Sequence, residues 1–133
     1  LSVFYLVLVL ILTLYPGQIL CIGPDLVTKT CDATMYKELC KATLQSSSQA
    51  DLKGLAQVIL KTLLSTATQV QDGIAKSTTD PRLKDCSGQY EVAIDKIKDS
   101  QAALDAHRYH DINMWVTAAM TNAGSCNDGF KEI

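Results

Sequence analysis

Positive charge is in short supply: twelve Lys and Arg stand against fourteen Asp and Glu, a formal net charge of −2 over 133 residues. The basic residues are scattered along the chain, so the one-sided electrostatic footprint of a nucleic-acid binder is missing. Aromatic residues make up only 6%, and there are two histidines. His107 and His110, three apart, offer only two imidazoles with no cysteine nearby to complete a tetrahedral set, so no zinc site, and no other metal or cofactor, is expected. Nucleophile elbows, metal-ligand clusters and glycine-rich phosphate loops are all absent, and spacing supports no triad around Ser125, which argues against an enzyme. There is no Asn-x-Ser/Thr acceptor, because Asn113, Asn122 and Asn127 are followed two places on by Trp115, Gly124 and Gly129.

Charge is also lacking from Leu1 to Pro24. Leu1 to Leu14 is almost wholly Leu, Val and Ile, the composition of a signal-peptide core, and Pro16-Gly17-Gln18 ends the apolar run. That run is short against the roughly twenty residues a spanning helix needs, so no stable membrane insertion is expected. The basic end of a signal sequence and an initiator Met are missing. Residues 1–23 are therefore expected to be a signal peptide incomplete at its N-terminus, cut near Cys21 or Gly23. Residues 24–133 suffice for one small domain in a secreted, extracellular protein.

If Cys21 leaves with the leader, an even four cysteines remain, which three connectivities could pair. Cys31 and Cys40 share one short segment, whereas Cys86 and Cys126 sit on two long ones. Only this pairing closes a tight local hairpin, and an oxidising compartment would preserve both bonds. Disulfides Cys31–Cys40 and Cys86–Cys126 are the expectation.

The period of the rest is helical, with no strand pattern or internal repeat. Leu52, Leu55, Ala56, Ile59, Leu63, Ala67, Val70 and Ile74 recur at steps of three and four, one stripe of a long helix. Ser48 and Asp51 are a plausible capping pair at its start. Gly54 inside that helix suggests close packing. A second helix opens at Asp80-Pro81, where Asp80 caps and Pro81 fills the first turn without losing a hydrogen bond. Its stripe is Leu83, Cys86, Tyr90, Ala93, Ile97 and Leu104. A third helix follows the turn from His107 to Asp111, with Tyr109, Ile112, Val116, Ala119 and Ala123 inward. Trp115 falls off this stripe and is expected to cover either the N-terminal hairpin or a further helix beyond this chain. Short connections make these helices antiparallel neighbours. Ahead of them, Asp25 to Leu44 holds two helical pieces around Asp32-Ala33-Thr34, too short to persist alone without a staple, and Gln45 to Gln49 is a polar linker.

Four stretches carry a resemblance: Thr30-Cys31 with Cys40, Asp51-Leu52-Lys53-Gly54-Leu55-Ala56, Asp80-Pro81-Arg82-Leu83-Lys84-Asp85-Cys86, and Ala118-Ala119-Met120 with Cys126-Asn127-Asp128-Gly129-Phe130. In this order and spacing they resemble the plant invertase and pectin methylesterase inhibitors, the group that includes the plane-tree pollen allergens, over essentially all of Asp25 to Ile133. The resemblance implies an all-α protein, a disulfide-clamped hairpin on an up-and-down four-helix bundle. It implies a secreted inhibitor in the apoplast, cell wall or vacuole, whose partner is a pectin methylesterase or an acid invertase with its active-site cleft blocked. Similar proteins continue into one more apolar helix, so the chain reads as a fragment lacking the last bundle helix. A groove of Leu, Ile and Ala open to water should result.

By the same resemblance, Asp95, Tyr109, Ser125 and Asp128 are the candidate enzyme contacts, on a common face of the second and third long helices. The Pro-Lys-Phe triplet that tobacco-type invertase inhibitors carry before the third bundle helix is replaced by His107-Arg108-Tyr109-His110. Gly88 and Arg108 stand where pectin methylesterase inhibitors usually carry acids, so the target is left open. Each candidate also has a plainer reading: Asp95 and Asp128 as solvated helix charges, Tyr109 as core, the two histidines as exposed turn residues. If the histidines border the contact, affinity shifts between about pH 5 and 7. An inhibitor-like pro-region of a pectin methylesterase is one alternative; a secreted helical lipid carrier is another, though plant lipid-transfer proteins resemble one another in having eight cysteines.

Overall fold

The computed structural model describes residues 24–47, 50–77 and 79–131, and every regular element among them is helical. The leader, Ser48 of the capping pair and the last two residues lie outside the described residues. Two compact units result, one ending at Leu52 and the other beginning at Lys53.

The first unit is a helical hairpin of α1 (Pro24–Asp32) and α2 (Lys37–Leu44), followed by a single 3₁₀ turn at Gln45–Ser47. α1 stops where Thr34 turns back on Cys31: both its N–H and its hydroxyl donate to the Cys31 carbonyl, at 3.0 and 2.9 Å. The two helices hold 9 and 8 residues, well under the roughly 12–15 at which an isolated helix becomes even marginal in water. The Cys31–Cys40 disulfide, Cα to Cα 5.5 Å, supplies the missing constraint, and Lys41 pairs with Asp32 at 3.1 Å across the same turn.

The second unit is built on α3 (Leu52–Ala75), α4 (Pro81–Asp105) and α5 (Tyr109–Asp128), of 24, 25 and 20 residues. α4 and α5 run antiparallel in close contact, tied by Cys86–Cys126 with Cα atoms 4.6 Å apart. Small side chains permit that approach. Ala67, Ala93, Ile97 and Ala119 form the buried cluster, with Leu64, Tyr90 and Ile94 packed against it. Ser100 is fully buried without penalty because its hydroxyl donates to the Lys96 carbonyl one turn back, 2.8 Å away, the usual way a helix accommodates serine.

The expected stripes hold on α4 and only partly elsewhere. Cys86, Ala93, Ile97 and Leu104 are buried there, joined by Ser100 and Ala103. On α3, Leu55 and Ala67 are buried, as is Leu60 from outside the expected stripe, whereas Leu52, Leu63 and Val70 are exposed. On α5 only Ala119 is fully buried, and Tyr109, read as inward, is 58% exposed. Leu63 and Val70 lie exposed for a specific reason: they form one lip of an open apolar groove of about 190 Å³, continued by Tyr90, Val116, Met120 and Ala123.

Candidate functional site

The α4–α5 pair is fastened at three levels. At its lower end Asp80 caps α4: the Arg82 N–H donates to Asp80 Oδ1 at 2.9 Å, and the Arg82 side chain donates from Nε to Oδ1 at 3.2 Å and from Nη2 to Oδ2 at 2.8 Å. These hydrogen bonds, the side-chain one first, hold the Asp80 carboxyl below the usual aspartate range and raise the Arg82 guanidinium. The same guanidinium lies 5.0 Å from the centroid of Phe130, just past the end of α5. Cap, cation and ring thus join the start of one helix to the end of the other beside the Cys86–Cys126 bridge. Midway, the Lys96 ammonium sits 4.3 Å from the Trp115 ring centroid and 3.2 Å from Asp99, a contact worth about 0.5–1 kcal/mol when partly exposed. Trp115 therefore covers the flank of α4, a contact not among the expected ones with the hairpin or a further helix, because the long Lys96 side chain reaches across from the adjacent antiparallel helix.

The upper end is the turn between α4 and α5. Arg108 N–H donates to the Ala103 carbonyl at 2.8 Å and His107 N–H to the Leu104 carbonyl at 3.2 Å. That is a Schellman closure with His107 at the position that needs a left-handed backbone, and its φ is 57°. Among the described residues His107 is the non-glycine with positive φ, a conformation that costs on the order of 1–3 kcal/mol. The His107 ring then meets Tyr109: Nδ1 and the phenol oxygen are hydrogen-bonded at 2.9 Å, with the rings edge to face at 6.0 Å. Arg108 Nη1 reaches Asp111 Oδ2 at 2.7 Å across the same corner.

The four candidate contacts are dispersed over this scaffold. Asp95 faces outward on α4 with Lys98 at 3.6 Å, an exposed pair of little energetic weight. Asp128 closes α5 beside Lys131 at 3.1 Å. Ser125 is exposed, and its hydroxyl donates to the Thr121 carbonyl at 3.0 Å. Tyr109 opens α5. At helical rise and turn, Tyr109 and Ser125 stand about 24 Å apart along α5 and roughly 160° apart around it. Ser125 and Asp128 are neighbours; Tyr109 instead shares the side of α5 that carries Val116 and Met120. A common face for all four does not exist. Arg82, His107, Lys96 and Phe130 went unnoticed from sequence as partners, since each acts through a residue on another segment or through a backbone angle.

Known proteins are similar to this chain in sequence and in fold. The family model described as plant invertase/pectin methylesterase inhibitor matches residues 25–133. The chain belongs to that family. Among curated proteins it is similar to a pectinesterase inhibitor of Actinidia deliciosa, 34% identical over 116 residues, which cover 80% of this chain and 63% of that protein. It is also similar to the cell wall / vacuolar inhibitor of fructosidase 2 of Arabidopsis thaliana, 29% identical over 119 residues, 81% of this chain and 66% of that one. The chain thus spans just under two thirds of the length of these two relatives. A solved structure, a mutant form of a pectin methylesterase inhibitor from Arabidopsis, superposes with a TM-score of 0.72 at 26% identity, covering 80% of this chain and 77% of that chain.

Three of the stretches that carry the resemblance have visible work here. Asp80-Pro81-Arg82 is the cap and clamp of α4, and Cys126 to Phe130 supplies the second half of the bridge and the ring under Arg82. Thr30-Cys31 with Cys40 closes the hairpin. No group of three or more His, Cys, Asp or Glu is placed to hold a metal among the described residues, and no described helix is long and apolar enough to cross a membrane.

Proposed function

We propose that this protein is a secreted inhibitor that occupies the active-site cleft of a carbohydrate-active enzyme of the cell wall, with pectin methylesterase as its target. Family membership over residues 25–133 carries the reading, and the fold agrees with that of a pectin methylesterase inhibitor. The relative at 34% identity bears the name pectinesterase inhibitor, which favours that target. Acid invertase is the second reading, supported by the fructosidase-inhibitor relative at 29% identity. The reading gives the chain no chemistry of its own: it acts by binding, and residues 24–133 are the inhibitor domain behind a leader that directs it out of the cell or to the vacuole.

Contact would run over the turn between α4 and α5, with Tyr109 as the exposed aromatic anchor and the flanks bearing Asp95 and Asp128 at its margin. Tyrosine is among the residues that dominate interface energetics, and truncating such an anchor costs about 2 kcal/mol or more. Purified full-length, disulfide-bonded protein titrated into pectin methylesterase, and separately into acid invertase, at acidic pH tests the proposal. Inhibition of the first is expected, with Tyr109→Ala weakening it roughly 30-fold or more and Asp95→Lys and Asp128→Lys weakening it through charge reversal. Inhibition of invertase alone would reassign the target, and inhibition of neither enzyme would remove the function.

A further inference from the structure

The turn between α4 and α5 holds a backbone conformation that its sequence does not favour. A Schellman closure normally places glycine at the left-handed position; here that position is His107, at φ 57°. Outliers of this kind persist where the surrounding structure over-determines them, and they concentrate at functional positions. The strain has a visible product. Because the left-handed residue reverses the chain within one turn, the His107 imidazole is brought back over the first residue of α5, and Nδ1 meets the Tyr109 hydroxyl at 2.9 Å. The edge-to-face packing of the two rings at 6.0 Å fixes the phenol from a second direction. On the other side of the corner Arg108 holds Asp111 at 2.7 Å. Tyr109 is nevertheless 58% exposed, so these contacts hold the side chain without burying it.

We infer that His107 is a positioning residue: it holds Tyr109 in a fixed, solvent-facing orientation in the free protein, ready to enter the target enzyme. This deepens the proposed function and rests on it. An exposed tyrosine free to sample rotamers must be immobilised on binding, and a hydrogen bond already made in the free protein removes that loss in advance. A glycine would close the turn with less strain but would leave the phenol unheld, which is why histidine at a glycine position is informative. The pair needs no particular tautomer, since either Nδ1–H donates to the phenol oxygen or the phenol O–H donates to Nδ1.

His107→Gly, Tyr109→Phe and the double variant of the full-length disulfide-bonded protein test the assignment by three measurements. Thermal melts establish folding: His107→Gly should melt at or above the wild-type temperature, because glycine accepts the left-handed backbone. Ring relaxation of isotope-labelled tyrosine in the free protein should show Tyr109 gaining mobility in His107→Gly. Inhibition of pectin methylesterase and of acid invertase should weaken roughly three- to ten-fold in His107→Gly, the range expected for one side chain released from preorganisation. Tyr109→Phe should weaken it similarly, and the double variant no further than either single change. A destabilised His107→Gly protein would mean that the histidine serves the fold. Unchanged Tyr109 mobility, or unchanged inhibition beside an inhibitory wild type, would overturn the positioning role. Wild type that inhibits neither enzyme while Tyr109 loosens as expected would overturn the proposed function and the use assigned to the tyrosine, leaving the local geometry confirmed.

Discussion

Replacing Cys86 and Cys126 together by alanine should destabilise the unit from Lys53 onward far more than the matching change at Cys31 and Cys40 affects its own unit. The bridges close chain separations of 40 and 9 residues. In the chain-entropy account, cross-linking removes unfolded-state freedom in proportion to the logarithm of loop length, about 4 kcal/mol for the long loop and about 2.5 kcal/mol for the short one. A unit of this size is stable by only about 5–15 kcal/mol, so losing the long bridge removes a quarter or more of the total. The corresponding fall in melting temperature is roughly 15–30 °C. Cys86 is 2% exposed, and truncation to alanine adds a small packing loss of the same sign. The short bridge acts where α1 and α2 cannot persist alone. Its removal should therefore show as lost amide protection in residues 24–47, with the transition of α3 to α5 preserved. Urea unfolding followed by circular dichroism, with hydrogen exchange resolved by peptide, reads both outcomes. A Cys86→Ala/Cys126→Ala variant within about 1 kcal/mol of wild type, or one less affected than the Cys31/Cys40 pair, would refute the loop-length reasoning.

Two further expectations follow from the helices. Gly88 lies exposed in the middle of α4, and a Cβ built on it meets nothing within 4 Å, so Gly88→Ala should stabilise by about 0.5–1 kcal/mol in the same urea assay; destabilisation would show that the space is needed. Asp80 has a folded pKa below its unfolded value, so its contribution is present above the unfolded pKa and lost as pH falls through the folded one, below about pH 4. Amide exchange at Arg82, referenced to the intrinsic rate at each pH, should lose protection over that interval in wild type, whereas Asp80→Asn should show little such change; equal acid sensitivity in both proteins would place the effect elsewhere.

Much of this fold was legible because long amphipathic helices repeat their signal many times. Asp80-Pro81 marked the start of α4 through cap chemistry that is local in sequence, and the hairpin followed from two short helical pieces around a cysteine pair. Legibility failed where burial depends on which neighbour arrives. Leu63 and Val70 carry the same apolar signal as Leu55, yet they rim an open groove while Leu55 is buried. Leu60 and Ser100 are buried off or between the expected positions because α3 and α4 present more than one row inward. The candidate contacts are named from sequence one at a time, and their arrangement on the helices is not. A resemblance carries positions one at a time, whereas the angular separation of Tyr109 from Ser125 belongs to the helix. The left-handed turn was hidden because its residue is histidine, whereas glycine, and less often asparagine, announces that conformation at a helix end.

The dispersal of the candidate contacts and the fastening of α4 to α5 bear on one another. Under the proposed function, an inhibitor without catalytic groups derives its effect from a surface whose shape is set before docking, since ordering a mobile surface on association subtracts from affinity. Here the two helices are bridged by Cys86–Cys126 and by Arg82 over Phe130 at one end, by Lys96 over Trp115 midway, and by the His107 closure at the other. Residues on opposite sides of α5 are thereby held in fixed relation although they share no pocket. A concave enzyme cleft that takes in the α4–α5 turn would meet Tyr109 first, with the flanks bearing Asp95 and Asp128 reaching its rim only if the cleft is wide. The scaffold therefore assigns unequal weights: a large loss on truncating Tyr109, and losses at the two aspartates that depend on the target's width and local charge. Equal weights at all three positions would point to side-on docking along the helices, with the turn no more than one edge of the contact.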